Sequence, residues 1–552
     1  MRFRKSSLGL SSPPKNLQRV LPPSSDHCPS YANKYSLMCH QLRLEPSPFV
    51  IKRLSSLDSS NVLSKLTICH SPLSLEHIVA LCRTFERSCS LKELSLNHAS
   101  LCDVSSTYIA KLVATTNSIS VVELFGNSLS DASMPDWSHV IATCHVLKRL
   151  KLGDNNITCL GAFHLAQGLA SSETGLLQLH LGGCLIGRRG AEALGYFLLF
   201  NNNTLSSLGL RDNQLGDAGI HALGPLIASP RCSLLDIQLK GNSMGFEGAK
   251  YFACALSSNT SLRVIEIEKN NIGPLGARYI VESLLMNSTV SAINFNNCNI
   301  SDEGCYYLAH LLSVNKSIST LGLSENNITA EGAEHLARGL AVCKCVIIGL
   351  DLSGNRIGDV GCAALSEVLA RNSTLTSLDL SSNLIGSEGA KWIGTFLSRN
   401  NCLKHLDLGN NYIKNKGVAL VAEGLVSNRS LSRLCLTDNC ITEQGGLKMV
   451  EYLAQNFSLT TLSYGGQGSS ANRIQPATRK KIDRMIVKNS QYSQKNNQNV
   501  PRSLIDEMKP TKNQQTPSFL AYQCGFLSEL DLSDESEACF EVPASLSLDD
   551  YF

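Results

Sequence analysis

The stretch Leu147-Lys-Arg-Leu150-Lys-Leu152-Gly-Asp-Asn155-Asn-Ile157 recurs along this chain. Its relatives include Leu205…Leu208…Leu210…Asn213…Leu215 and Leu375…Leu378…Leu380…Asn383…Ile385. Units start at residues 63, 91, 119, 147, 176, 205, 234, 262, 290, 318, 347, 375, 403, 431 and 459. Every step is 28 or 29 residues, so fifteen units follow one another, the first three and the last less regular. A second marker keeps the same phase. The residue fourteen after the start is Gly161, Gly190, Gly219, Gly248, Gly276, Gly304, Gly332, Gly361, Gly389, Gly417 and Gly445. Apolar residues follow four and eight positions later, as in Leu165 and Leu169 or Leu336 and Leu340. That spacing is the stripe of an amphipathic helix.

Each unit therefore reads as a short strand, a turn and a helix of about three turns. The Leu-x-Leu pair has period two, which sends its leucines to one face of the strand and their neighbours to the other. The asparagine after the strand has one acceptor and two donors on a short side chain. Once buried, it serves loop backbone groups that no ladder reaches. Cys184 and Cys298 take that place in two units. The glycine permits close packing of helix on strand. Asn259, Asn287, Asn315, Asn372, Asn428 and Asn456 begin Asn-x-Ser/Thr sequons. Because they recur at one phase just before a leucine, they read as a polar turn after each helix and not as glycan acceptors.

This pattern resembles the ribonuclease-inhibitor-like class of leucine-rich repeats, LxxLxLxxN/CxI/LxxxGAxxLAxxLxxN, over about residues 63–489. The resemblance implies an α/β solenoid, a horseshoe with a parallel sheet on the concave face and helices on the convex face. The curvature has a physical cause. Neighbouring strands sit about 4.8 Å apart, whereas packed helices need about 8–10 Å. The same repeat class occurs in NOD-like immune receptors, but no GxxxxGK[S/T] stretch accompanies it here, so a P-loop nucleotide site is not expected.

The 552 residues are 43% hydrophobic and 17% charged, with a formal net charge of +3. That balance points away from a nucleic-acid surface. No apolar run reaches the ~18 residues of a membrane span. The 21 cysteines form no CxxC pair, and without a secretory signal core their thiols are expected to stay reduced in the cytoplasm. Nuclear or cytoskeletal association is left open. Residues 1–34 are Ser/Pro-rich and read as a disordered leader, and 35–62 as a degenerate N-terminal cap. Residues 476–489 read as a capping helix opened by Pro476. Residues 490–552 read as a linker and acidic tail. The tail, 526–552, carries eight acids and no base, interleaved with large apolar residues. This composition suits a segment that folds onto a second partner, with Ser533 and Ser536 as candidate phosphorylation sites.

The concave face is the candidate binding surface, through residues four, six and seven after each start. In the four-after column Asp351, Asp379 and Asp407 come from consecutive units, with Asp438 and Glu325 expected to extend the patch. Carboxylates one strand apart repel each other, and a basic partner relieves that repulsion. Lys151, Arg211, Lys240 and Lys269 lie in earlier units among Asp154, Asp212, Glu266 and Glu268, and His180 is read as a contact residue there. No HExxH or GxSxG motif occurs, and no cofactor or metal is expected. The reading is a non-enzymatic scaffold for a folded protein. The family resemblance also implies three alternatives: a GTPase activator of the Ran-activating type, a ribonuclease inhibitor, or a NOD-like regulator without its nucleotide domain.

Overall fold

The computed structural model describes residues 30–58, 64–86, 88–172, 175–201, 204–342 and 346–498. The sequence features of residues 1–29 and 499–552, including the acidic tail with Ser533 and Ser536, lie outside the described residues. Fifteen three-residue strands, β1 (Lys65–Thr67) to β15 (Thr461–Ser463), form one parallel sheet in chain order. Helices connect successive strands and pack side by side on the other face. The molecule is an α/β solenoid, a leucine-rich-repeat horseshoe with its strands inside and its helices outside.

Register follows the repeat without slippage. Leu350, Leu378, Leu406 and Leu434 are cross-strand partners, and each is at most 3% exposed. The core is therefore a column of equivalent leucines, and each unit buries its apolar side only against its neighbours. The turns hold through the asparagine ladder. Asn326 Nδ2 donates to the carbonyls of Phe295 (2.8 Å) and Ser324 (3.0 Å), while its Oδ1 accepts from the amides of Cys298 (3.0 Å) and Ile300 (3.1 Å). Cys298 covers less of this role, its thiol reaching only the Ile267 carbonyl at 3.3 Å.

The conserved-phase glycines mark crowding. A Cβ on Gly332 would fall against Asp302 Oδ1 and 2.7 Å from Ile328 Cγ2. Asp302 explains that crowding, because its Oδ1 accepts from the amides of Thr329 (2.7 Å) and Gly332 (2.9 Å) in the next unit. Asp131 makes the same bonds to Thr158 and Gly161. These aspartates cap the following helix, as an anion at a helix N-terminus should. The sequon asparagines Asn259, Asn287, Asn315, Asn428 and Asn456 are buried. Their side-chain nitrogens bond backbone carbonyls of the previous unit, as Asn428 does with Leu397 (2.8 Å) and Asn400 (3.0 Å).

The ends differ from the boundaries expected from the sequence. The first cap is a pair of helices, α1 (Tyr31–Gln41) and α2 (Pro48–Asp58), so ordered structure begins inside the stretch read as leader. Tyr35, Cys39 and Leu54 are fully buried, and the Tyr31 ring stacks on Phe85 with centroids 5.0 Å apart. The last helix, α17 (Pro476–Gln498), runs nine residues past the expected Asn489. Its Ile482 is buried against the final unit, and Tyr464 Oη donates to Asp483 at 2.6 Å. No helix among the described residues is long and apolar enough to cross a membrane.

Candidate functional site

In each strand the central residue points into the core, so the residues two and four after each start face the concavity. The expected columns were four, six and seven. The structure adds the second-position column and moves the seventh position off the strand. Asp154, Asp212, Lys269, Glu325 and Asp438 sit there with φ between +51° and +57°, in the turn after the strand. Asp438 and Glu325 therefore flank the aspartate column and do not extend it. In that column Gly322 precedes Asp351 and Cys435 follows Asp407.

The three aspartates stand in register, Asp351 beside Asp379 and Asp379 beside Asp407. Asp351, 4% exposed, accepts from the Ser353 amide (2.9 Å) and hydroxyl (2.5 Å) and from Asn296 Nδ2 (3.3 Å). Asp379 accepts from the Ser381 amide and Asp407 from the Gly409 amide, each at 2.8 Å. Burial, then the charges of Asp407 and Asp351, push Asp379 up to about 7. Burial also raises Asp351. Among the described residues no cation forms an ion pair with any of the three.

A second acidic group lies three to four units before Asp351. Asp236 begins β7 (Asp236–Gln238), and Glu266 ends β8 (Val264–Glu266), with Glu268 two residues on. Burial, then Glu268 and Asp236, push Glu266 up to about 8. Lys240 pairs with Glu268 Oε1 at 2.9 Å. Glu268 is 6% exposed, yet among the described residues its Oε2 has no hydrogen-bond partner, and neither has Asp236 Oδ1. An unbonded, dehydrated carboxylate oxygen is costly, and a donor from outside would satisfy it. Asp236 was missed from sequence because the second-position column was not counted; strand alternation alone would have included it.

The remaining candidates are largely neutralised. Lys151 pairs with Glu123 at 2.8 Å, and Arg211 with Asp212 (2.8 Å) and Asp154 (3.3 Å). The Arg211 guanidinium also lies over the Phe125 ring, 5.6 Å from its centroid. Lys269 is exposed in its turn. Burial, then the nearby Lys151, lower His180 to about 4, so it is neutral at physiological pH and offers hydrogen bonds without charge. Among the described residues no group of three His, Cys, Asp or Glu is placed to hold a metal ion.

The concave sheet thus carries paired charges in its earlier units and acids without a cationic partner among the described residues further along. Comparison with known proteins agrees with the repeat class. The leucine-rich repeat family matches at residues 201–224, 258–281, 287–309, 314–337, 350–366, 371–394 and 399–422. This chain is a leucine-rich-repeat protein, with units of the ribonuclease-inhibitor-like type. The pig ribonuclease inhibitor is 29% identical over 181 residues, 32% of this chain and 39% of the inhibitor. Mouse NACHT, LRR and PYD domains-containing protein 5 is 26% identical over 190 residues, 29% of this chain and 16% of that protein. The chain thus spans well under half the length of these relatives. Among solved structures, an internalin from Listeria monocytogenes aligns over 76% of this chain and 87% of its own, with 17% identity and a TM-score of 0.34.

Proposed function

We propose that this chain is a non-enzymatic scaffold whose concave face holds a folded protein that presents basic side chains to the acidic columns. The observation that carries this reading is the Asp351, Asp379 and Asp407 column, three in-register carboxylates with no ion-pair partner among the described residues. A lysine or arginine brought between them relieves their mutual repulsion, and a preformed surface costs little ordering entropy on binding. The orphaned oxygens of Asp236 and Glu268 supply a second anchor point of the same chemistry. The part-identical ribonuclease inhibitors support a protein ligand, since by name they inhibit an enzyme.

The test begins with proximity labelling in cells, comparing the chain with the Asp351→Asn, Asp379→Asn, Asp407→Asn triple variant. The expected outcome is a protein recovered with the chain and lost with the variant. Binding of that protein should also tighten with pH, because a cation favours ionised Asp379. With its carboxyl at about 7 in the free chain, affinity should rise about tenfold between pH 6 and pH 8. Partners retained in full by the triple variant would remove this column from the binding surface. Acceleration of GTP hydrolysis by small GTPases in single-turnover assays would replace the scaffold reading with that of an activator.

A further inference from the structure

The C-terminal edge of the sheet is open. In the strands of the preceding units the central residue is buried, with Leu434 at 3% and Leu406 at 2% exposure. In β15 the flanking Thr461 and Ser463 are exposed and Leu462 is only partly buried. The inner side of β15 is paired. Thr460 and Thr461 amides donate to the Ser432 carbonyl (2.9 Å each), and the Leu436 amide donates to the Ser463 carbonyl (2.6 Å). The outward equivalents are the Thr460 carbonyl and the Tyr464 amide, and among the described residues neither has a backbone partner. Such an edge is a template for one more strand.

The chain carries a segment with the spelling of a repeat strand further on. Residues 527–533 read Leu527-Ser-Glu-Leu530-Asp-Leu532-Ser533. The segment shares five of seven positions with Leu375-Thr-Ser-Leu378-Asp-Leu380-Ser381, the stretch that forms β12 (Ser377–Asp379) and its flanks. What normally follows a repeat strand is missing, since Glu535 replaces the ladder asparagine and Glu541 the helix glycine. The segment has the spelling of a repeat strand without the residues that open the following helix.

We propose that residues 527–533 add to β15 as a sixteenth parallel strand of the same sheet. Repetition of the ladder sets the register. Leu530 pairs with Leu462, the Ser528 and Glu529 amides donate to the Thr460 carbonyl, and the Tyr464 amide donates to the Asp531 carbonyl. Leu530 then covers the part-exposed Leu462, and Leu527 and Leu532 complete the apolar row. Asp531 falls beside the neutral Ser463, and Glu529 beside Thr461, two strands from Arg433, so no like charges meet directly.

Chain length permits this arrangement within one molecule. Asn489 Nδ2 bonds the Asn456 (3.1 Å) and Leu459 (3.0 Å) carbonyls. In the last unit Asn472 takes the ladder place thirteen residues after Leu459 in place of eight, so the next unit start falls near residue 492, three after Asn489, as Leu459 falls three after Asn456. Asn489 thus marks where a sixteenth strand would begin. The nine helical residues from there to Gln498 carry the chain about 14 Å away. Residues 499–526 are a 28-residue connection, whose root-mean-square span of about 30 Å covers the return. A tether of this length holds the segment at roughly millimolar effective concentration, so a weak strand addition suffices.

Hydrogen exchange on the full-length protein tests this, with the full-length Leu530→Asp, Leu532→Asp variant as control, since both substitutions lie outside the folded repeats. The expected result is that the Tyr464 amide and the amides of Ser528, Glu529 and Asp531 exchange about tenfold or more slowly in the parent. This protection should not change between low and high protein concentration, and the variant should lose it. Free-peptide exchange rates for Ser528, Glu529 and Asp531 in the parent would overturn the proposal. So would protection that grows with protein concentration, which would mean a strand donated by a second copy, or protection that survives in the variant.

Discussion

Replacing Asp379 by asparagine isolates the energetic cost of the aspartate column. In the fold, burial and the charges of Asp407 and Asp351 raise this carboxyl from 3.8 to about 7. The folded protein therefore holds a proton that the unfolded chain has released across that interval. By linkage, wild-type stability falls as pH rises from about 4 to about 7, and the loss is complete above that. A shift of about three units corresponds to at most about 4 kcal/mol. Water on the open side of the sheet and the joint titration of neighbouring carboxylates reduce this, and we expect about 2 kcal/mol. Asparagine keeps the acceptor for the Ser381 amide and removes the charge. In urea denaturation at fixed ionic strength, Asp379→Asn should match wild type near pH 4. It should become more stable as pH rises and hold a constant advantage above pH 7. A difference independent of pH, or a variant less stable at pH 8, would show that the carboxylates are not in conflict.

Asn326→Ala should cost about 3 kcal/mol, because it strands the Phe295 and Ser324 carbonyls and the Cys298 and Ile300 amides in a dry turn; an unaltered urea midpoint would contradict the ladder. Gly332→Val should destabilise by about 1–3 kcal/mol, since its Cβ meets Asp302 and Ile328 and a branched side chain meets more. Circular dichroism melts would read this, and a melt equal to wild type would contradict the helix–strand crowding. Glu266→Gln should raise stability at pH 9 relative to pH 5, because burial beside Glu268 and Asp236 holds this carboxyl at about 8; the reverse order would mean that an unseen cation neutralises the group.

The period of the repeat was enough to reach the fold. A 28- or 29-residue step with leucine, asparagine and glycine in one phase admits only stacked units, because each unit buries its leucines solely against the next. The same logic places Asp351, Asp379 and Asp407 in one column, since equivalent positions of stacked strands are neighbours. Other features were visible in the sequence only in part. The aspartates that cap each following helix, such as Asp302, share a phase but act between units, through contacts that a pattern within one unit does not display.

What the tertiary structure alone decided is the state of each charge. Lys151, Arg211 and Lys240 find carboxylates within 2.8–3.3 Å, whereas the three aspartates find no cation among the described residues. Side-chain reach across strands settles that difference, and spacing along the chain does not encode it. Burial is equally a property of neighbours. Asp379 and Asp438 are both acids of this surface, but one stands in the packed column and the other in a turn beyond it. The sequence by itself determined which residues share a row, because stacking is a translation; only the folded molecule determined which of them lose water and which keep a partner, because both depend on atoms contributed by other units.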